Sequence, residues 1–495
     1  MTGKLPTECL IKIFKLFRVT YNQEGNHDYL DYVTLRSCAL VNRQWCSVAI
    51  PMLWKEPLAN LQLRKSTRDR IHLPIRTYIM CLSDEAKIIL SKCGITSTLK
   101  RGTMFDYASF LQRLDNVMLS NATERWIEMC NTIPKDGNHF ISIFQNYQLI
   151  EQLLRMFMMR CKNLKELRLK KSNQLSCPAD ALLQLHLLPG AEVSLSALRE
   201  FSFDGCMQSE ILSKASEISK NIQHLQIDCV CNDNEGLAKL IRAQQKPLLG
   251  LSIESMTLNI PNIKNALKNK VNSLTSLSIN RIFSLDIFSN CSNLETLIIM
   301  HRERFVENLM ERFVNSKFPK LRELQLQIDH PYLYQISTLI KNTNENLTSI
   351  YLNWVVPEDT ENILLLFSTI TTHCPNLTEY LGTFSNDVIP YLPLFFEKCS
   401  KLEYFYVYDD NSTFYDLSNV MKLIANVIPK RLKMMWLSES WMCNVEALNV
   451  FLEGCEKRLC EPLLFFICNR TNQHIDLIRR YVVKNVLTAN SYIID

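Results

Sequence analysis

Leu347-Thr348-Ser349-Ile350-Tyr351-Leu352 carries three apolar residues in a pattern that recurs down most of the chain. Its last four residues alternate polar and apolar, the period of a strand with one buried face. Equally clear copies are Leu164-Lys165-Glu166-Leu167-Arg168-Leu169, Leu274–Ile279, Leu294–Ile299 and Leu321–Leu326. Looser copies start at Leu198, Ile222, Leu248, Leu377, Leu402, Leu432 and Leu463. The mean spacing is about 27 residues, with extremes near 20 and 34, a length that holds one strand and one helix. Segments between copies, such as Glu361–Thr371 and Val445–Glu453, predict those helices. A unit this small cannot bury its apolar side alone, so neighbours must stack and supply the missing wall.

Four copies have a cysteine three residues upstream: Cys161, Cys291, Cys374 and Cys399. Together with the motif, this resembles the cysteine-containing subclass of leucine-rich repeats, in which a helix ends at a C-x-x-L junction. Cys374-Pro375-Asn376-Leu377 matches that junction closely. The resemblance implies packed, reduced thiols for much of the complement of 18 cysteines. No CxxC pair occurs, and the single residue between Cys229 and Cys231 is not zinc-finger spacing. The glycosylation-like triplets Asn346-Leu347-Thr348 and Asn376-Leu377-Thr378 fall inside the repeat and need no other explanation.

A different pattern occupies residues 5–57. Leu5-Pro6 opens an amphipathic stretch in which Cys9, Leu10, Ile13, Phe14 and Phe17 share one helical stripe. Pro6 suits a first helical turn. Leu35, Cys38, Leu40 and Val41 predict a second helix closing near Asn42; Trp45 begins a third, which Pro51 is expected to stop. This combination, with the closing Leu53-Trp54, resembles the F-box, a three-helix module that binds the Skp-type adaptor of cullin–RING ubiquitin ligases. Carried over by motif, the adaptor-contacting residues are Leu5, Pro6, Ile13, Phe14, Val41, Trp45, Leu53 and Trp54, with Leu5, Pro6, Leu53 and Trp54 the better interface candidates and Ile13 a core one. Residues 19–30 form a polar insertion between the first two helices, tolerable because closure entropy grows slowly with loop length.

Residues 58–160 lack the repeat but carry long amphipathic patterns. Asp84–Lys92, Phe105–Leu119 and Phe144–Arg160 read as helices and Asn131–Asn138 as a loop, together a helical linker or irregular cap. The expected organisation is 1–57, an F-box-like module; 58–160, the linker or cap; and 161–495, the repeat array. The fold class is α/β: a small all-α module followed by a leucine-rich-repeat solenoid with a parallel inner sheet and outer helices.

Composition narrows the function. Of 495 residues 47% are apolar and 21% charged, and 55 basic against 50 acidic side chains leave a net charge of only +5. The basic cluster Lys162, Lys165, Arg168, Lys170 and Lys171 contains Glu166, and Arg302, Arg304 and Arg312 alternate with Glu303, Glu307 and Glu311, so a solvated face is expected rather than a nucleic-acid stripe. No apolar run reaches the ~18 residues that cross a bilayer, and MTGKLPTECL lacks a cleavable apolar stretch, so a cytoplasmic or nuclear location is expected. Only 11 glycines occur and none cluster, which removes the phosphate-cradling loops. His373-Cys374 sits at a repeat junction without a third orienting group, so no enzyme, cofactor or metal is expected.

Recognition is expected on the sheet positions that alternate with the core. Early repeats place Glu166, Arg168, Lys170, Asp204, Asp228 and Glu254 there, mostly charged; later ones place Tyr351, Asn353, Tyr404, Tyr406, Tyr408, Met434 and Trp436. Aromatic residues anchor interfaces well because they bury rigid area at low entropic cost. Two readings fit the aromatic group: a partner anchor, or a degenerate core after a slip of register. The functional expectation is a substrate-recognition subunit of a Skp–cullin–F-box ligase whose array binds an as yet unspecified target protein. The alternative is an interaction scaffold acting outside ubiquitin transfer.

Overall fold

The structure is a computed structural model, and it describes residues 5–20, 28–62, 70–95, 102–130, 139–170, 184–257, 259–280, 288, 291–301, 316–328, 332–354, 360–383, 386–408, 414–438, 440–468 and 471–494. The loop expected at 131–138 and the arginine-glutamate run at 302–312 lie outside these residues. The chain divides into two compact units: residues 1–228 with 234–246, and residues 229–233 with 247–495.

The first unit opens with three helices, α1 (Thr7–Lys15), α2 (Tyr32–Ala39) and α3 (Arg43–Leu53), and an antiparallel pair β1 (Arg18–Thr20) and β2 (Asp28–Leu30) between α1 and α2. The polar insertion is thus partly a hairpin. Side-chain caps set the helix starts: Asp31 accepts from the Val33 and Thr34 amides, and Asn42 accepts from the Trp45 amide at 2.9 Å. Leu40 and Val41 fall beyond the end of α2, so the expected second helix is shorter. Pro51 does not stop α3, which runs on to Leu53 while the Trp54 amide still donates to Ile50 O at 3.1 Å. Pro6 stands one residue before α1 and not inside its first turn. Leu10, Phe14, Leu35, Cys38, Val48, Ala49 and Met52 form the core of this module.

Next come α4 (Pro57–Gln62), α5 (Leu73–Cys81), α6 (Asp84–Lys92), β3 (Arg113–Asp115), α7 (Asn116–Cys130) and α8 (His139–Arg160). The helices expected at 84–92 and 144–160 are present. The one expected over 105–119 is instead a short 3-10 turn at Tyr107–Phe110, strand β3 and the start of α7. Leu111-Gln112-Arg113-Leu114-Asp115-Asn116 is a further copy of the repeat with asparagine in the third apolar place. The Asn116 side chain grips the next repeat twice, donating to Lys170 O at 2.7 Å and accepting from Lys170 N at 2.9 Å. β3, β4 (Glu166–Leu169), β5 (Glu200–Asp204) and β6 (His224–Val230) then lie side by side in that order, each paired in parallel with the next.

Among the described residues, ten parallel strands make the sheet of the second unit. In spatial order they are β7 (Gly250–Ser255), β8 (Ser276–Ile279), β9 (Thr296–His301), β10 (Glu323–Ile328), β11 (Ser349–Trp354), β12 (Glu379–Thr383), β13 (Tyr404–Tyr408), β15 (Met434–Trp436), β17 (Leu464–Cys468) and β18 (Tyr492–Ile494). A separate short pair, β14 (Tyr415–Asp416) and β16 (Trp441–Met442), lies beside it in sequence. Helices such as Thr360–His373 and Val445–Arg458 fill the intervals. In each of the five clear copies all three apolar positions are buried.

The junctions explain the cysteines. Cys161 Sγ donates to Leu111 O at 2.8 Å, and in another repeat Ser273, one residue before Leu274, donates to the equivalent acceptor Leu248 O at 2.7 Å. Burial pushes the Cys161 thiol up to about 11 and those of Cys291 and Cys399 up to about 12, so they stay protonated near neutrality. Asn346 and Asn376 donate to Pro319 O and Glu345 O of preceding repeats, which accounts for the asparagine of the triplets.

Candidate functional site

The helical module has a second apolar set besides its core. Leu5, Ile11, Ile13, Leu16, Val33, Leu40 and Val41 are exposed, from 36% at Ile11 to 81% at Leu40. That equals in number the described core residues of the module. The Gln44 amide donates to Leu5 O at 2.7 Å, which pins the Leu5-Pro6 segment beside the start of α3, close in sequence to Leu40 and Val41.

The residues carried over by motif therefore separate. Leu5, Pro6, Ile13 and Val41 are exposed. Phe14 is fully buried, in edge contact with Trp45 at 5.3 Å, so it is a core residue and not a contact. Its neighbour Ile13, assigned to the core from sequence, faces outward because α1 turns Leu10 and Phe14 inward together. Trp45 and Leu53 are half-buried against the core. Trp54 is drawn into the chain itself, 5.2 Å from Tyr78 and 4.4 Å from Tyr107.

The residue after Trp54 has a structural assignment. Along the array, the carbonyl of the residue after the first apolar position accepts two successive amides from the next repeat, as Thr348 O does from Thr378 and Glu379 at 2.8 and 3.0 Å. Lys55 O accepts from Gln112 and Arg113 in the same manner, at 2.9 and 3.2 Å. Lys55 thus makes the backbone contact of a repeat's second position and acts as a rung beside the terminal strand β3, although α4 and not a strand follows it. An ion network reinforces the joint: Arg113 reaches Glu56 and Glu166 at 3.1 Å each, Arg168 reaches Glu166 at 2.6 Å, and Tyr32 donates to Glu56. The carboxylates raise the Arg113 guanidinium against the opposing effect of its burial. Arg113→Met removes the cation that bridges Glu56 and Glu166, leaving Glu166 to Arg168 and Glu56 to the Tyr32 hydroxyl in a half-buried place. It should lower the first urea transition by about 1–3 kcal/mol; an unchanged transition would show the network to be neutral.

In the second unit the exposed sheet positions form registered rows. One reads Thr296, Glu323, Ser349, Glu379, Tyr404 and Met434; the next reads Ile298, Gln325, Tyr351, Leu381, Tyr406, Trp436 and Phe466. The register does not slip at the aromatic strands: Phe405, Val407, Met435 and Leu437 are fully buried, while Tyr404, Tyr406, Met434 and Trp436 are half-buried and Tyr408 is 47% exposed on the other face. A degenerate core is thereby excluded. Asn353 is exposed and Tyr351 half-buried on that face. The Tyr406 hydroxyl donates to Met434 Sδ at 3.0 Å, and Trp436 lies against Phe466 at 4.5 Å. Burial, and then the hydrogen bond to Glu379, hold the Tyr351 hydroxyl well above its usual range, and burial raises the Glu379 carboxyl. The first unit differs: its rows hold Arg113, Glu166, Arg168 and Lys170, paired with one another and with Asp228.

Among the described residues no group of three or more His, Cys, Asp or Glu is placed to hold a metal ion, and no helix is long and apolar enough to cross a membrane.

Residues 2–59 match the family described as F-box-like. The matched segment contains α1, α2 and α3 and the Trp54-Lys55 junction. A search of curated proteins finds no match. Among solved structures, the chain is similar to one from the "Crystal structure of Rad7 and Elc1 complex in yeast", at 13% identity and a TM-score of 0.37, over 76% of this chain and 90% of that one.

Sequence reasoning missed Leu40, Leu16, Ile11 and Val33 as surface residues of the F-box-like module. Leu40 and Val41 carried a signal: both lie immediately before Asn42, a preferred cap, so neither belongs to the packed face of α3.

Proposed function

We propose that the chain is a substrate-recognition subunit of a Skp–cullin–F-box ubiquitin ligase. The exposed apolar set of the F-box-like module docks on a Skp-type adaptor, and the aromatic sheet face of the second unit takes the target protein. The observation that supports this most is the seven exposed large apolar side chains on a module matching the F-box-like family. The mechanism is proximity: the ligase supplies the transfer chemistry and this chain raises the target's effective concentration beside it. The Lys55 rung and the Arg113 network make the module and the first strands of its own unit one body, which fixes the direction in which that sheet leaves the adaptor. The target anchors proposed are Tyr351, Asn353, Tyr404, Tyr406, Tyr408, Met434 and Trp436.

The test is co-expression of the full chain with a Skp-type adaptor and a cullin. Recovery of all three in one complex is expected. Adaptor without cullin would favour a scaffold acting outside ubiquitin transfer, and absence of the adaptor would overturn the reading.

A further inference from the structure

Building on the reading of the second unit's sheet face as the target surface, we propose that its occupant is an extended peptide segment with one lysine or arginine among apolar side chains. The cation seats over Ser349, between Glu323 and Glu379. The argument is charge balance on an otherwise apolar face. Among the described residues, the non-core positions of the large sheet from β7 to β17, leaving aside the separate β14–β16 pair, hold three carboxylates, Glu254, Glu323 and Glu379, and no lysine or arginine. The nearby Lys433 is engaged by Glu403 at 2.7 Å. In the first unit, by contrast, Glu166 and Asp228 each have a cationic partner within the chain.

Among the described residues, the two central acids are held by neutral donors. Thr296 donates to Glu323 Oε2 at 3.1 Å, and the Tyr351 hydroxyl donates to Glu379. Each keeps its hydrogen bond, and no ion pair joins either to another described residue. Register places Ser349 between them, one strand from each. Strands lie about 4.8 Å apart, so a cation above the short serine side chain stands within ~5 Å of both carboxylate positions. Beside that point runs the apolar row through Tyr351, Leu381, Tyr406 and Trp436, which faces the flanking side chains of the segment. Aromatic faces also attract cations, which adds to the preference for lysine or arginine there. Six strand spacings span roughly 29 Å, the length of about nine extended residues.

The probe is a set of fluorescein-labelled decapeptide pools, apolar and aromatic at most positions, with one central position fixed as Arg, Gln or Glu. Anisotropy is measured against the full chain. The Arg pool should bind about tenfold more tightly than the Gln pool, as a charge-assisted contact predicts, with the Glu pool weakest. In the Glu323→Gln/Glu379→Gln variant the Arg advantage should vanish, while Glu200→Gln should preserve it. Equal binding of the Gln and Arg pools, lost on Trp436→Ala, would overturn the cation site and leave the face as a docking surface. No binding by any pool would overturn both, whatever the adaptor result.

Discussion

Gly382→Leu should destabilise the second unit by about 3 kcal/mol or more, in the upper range for overpacked cores. The repeat at Leu377 reads Leu-x-x-Tyr-x-Gly where its neighbours read Leu-x-x-Leu-x-Leu. Register sets Gly382 between Leu352 and Val407, both fully buried, so it stands in the core row. The missing side chain is replaced by the ring of Tyr380, itself fully buried and packed 5.6 Å from Phe395 and 5.9 Å from Phe405. A Cβ added at Gly382 would lie 2.8 Å from Tyr380 Cζ and nearer still to the hydroxyl. The aromatic cluster leaves that ring little freedom to move. Tyr380→Leu in the same chain restores the apolar pattern of the neighbouring repeats and should recover most of the loss. Contacting residues couple by roughly 0.5–3 kcal/mol, so chemical denaturation of the two singles and the double decides the matter. A double variant no more stable than the sum of the singles would show that the two residues do not share one space.

Phe14→Ala should cost the F-box-like module about 3–5 kcal/mol, the usual cost of deleting a buried phenylalanine. Seven of the module's described residues form its core, and Phe14 touches both Phe17 at 5.8 Å and Trp45 at 5.3 Å. A core this small has few ways to collapse around the cavity, so amide protection across α1, α2 and α3 should fall together. Protection in strands β9 to β13 should not change. Adaptor binding would then be lost through unfolding, a different cause from removal of a surface contact. Unchanged protection in α1 would contradict the placement of Phe14.

The repeat was legible because its strands obey two rules at once, period-2 alternation and a recurring three-leucine spacing. All twelve copies read from sequence contain a strand. The copy at Leu111 escaped because Asn116 stands in the third apolar position, and an asparagine that serves the next repeat's backbone looks polar in sequence. The rung at Lys55 escaped for a related reason. Lys55 stands just past the end of α3, and only the amides of Gln112 and Arg113, far along the chain, disclose its role. In the helical module the stripe of α1 was visible but its edge was not. Leu10 and Phe14, four residues apart, define the inward direction, and Ile13 falls to the other side by one helical step. On the sheet face, alternation identified which aromatic residues point away from the core. The carboxylates between them were not singled out, because the lateral order of strands is set by stacking, which a linear sequence does not display.

The central claim is that exposed apolar residues of the amino-terminal module bind a Skp-type adaptor. The direct measurement is calorimetric titration of purified adaptor into the full chain and into a Leu5→Asp/Leu40→Asp/Val41→Asp variant. These three side chains are 47%, 81% and 58% exposed and support no core contact, so the variant should keep the wild-type melting temperature. Loss of about 100-fold or more in affinity is expected if they form the centre of the contact. Wild-type affinity in the folded variant, or no binding by the wild-type chain, would contradict the account.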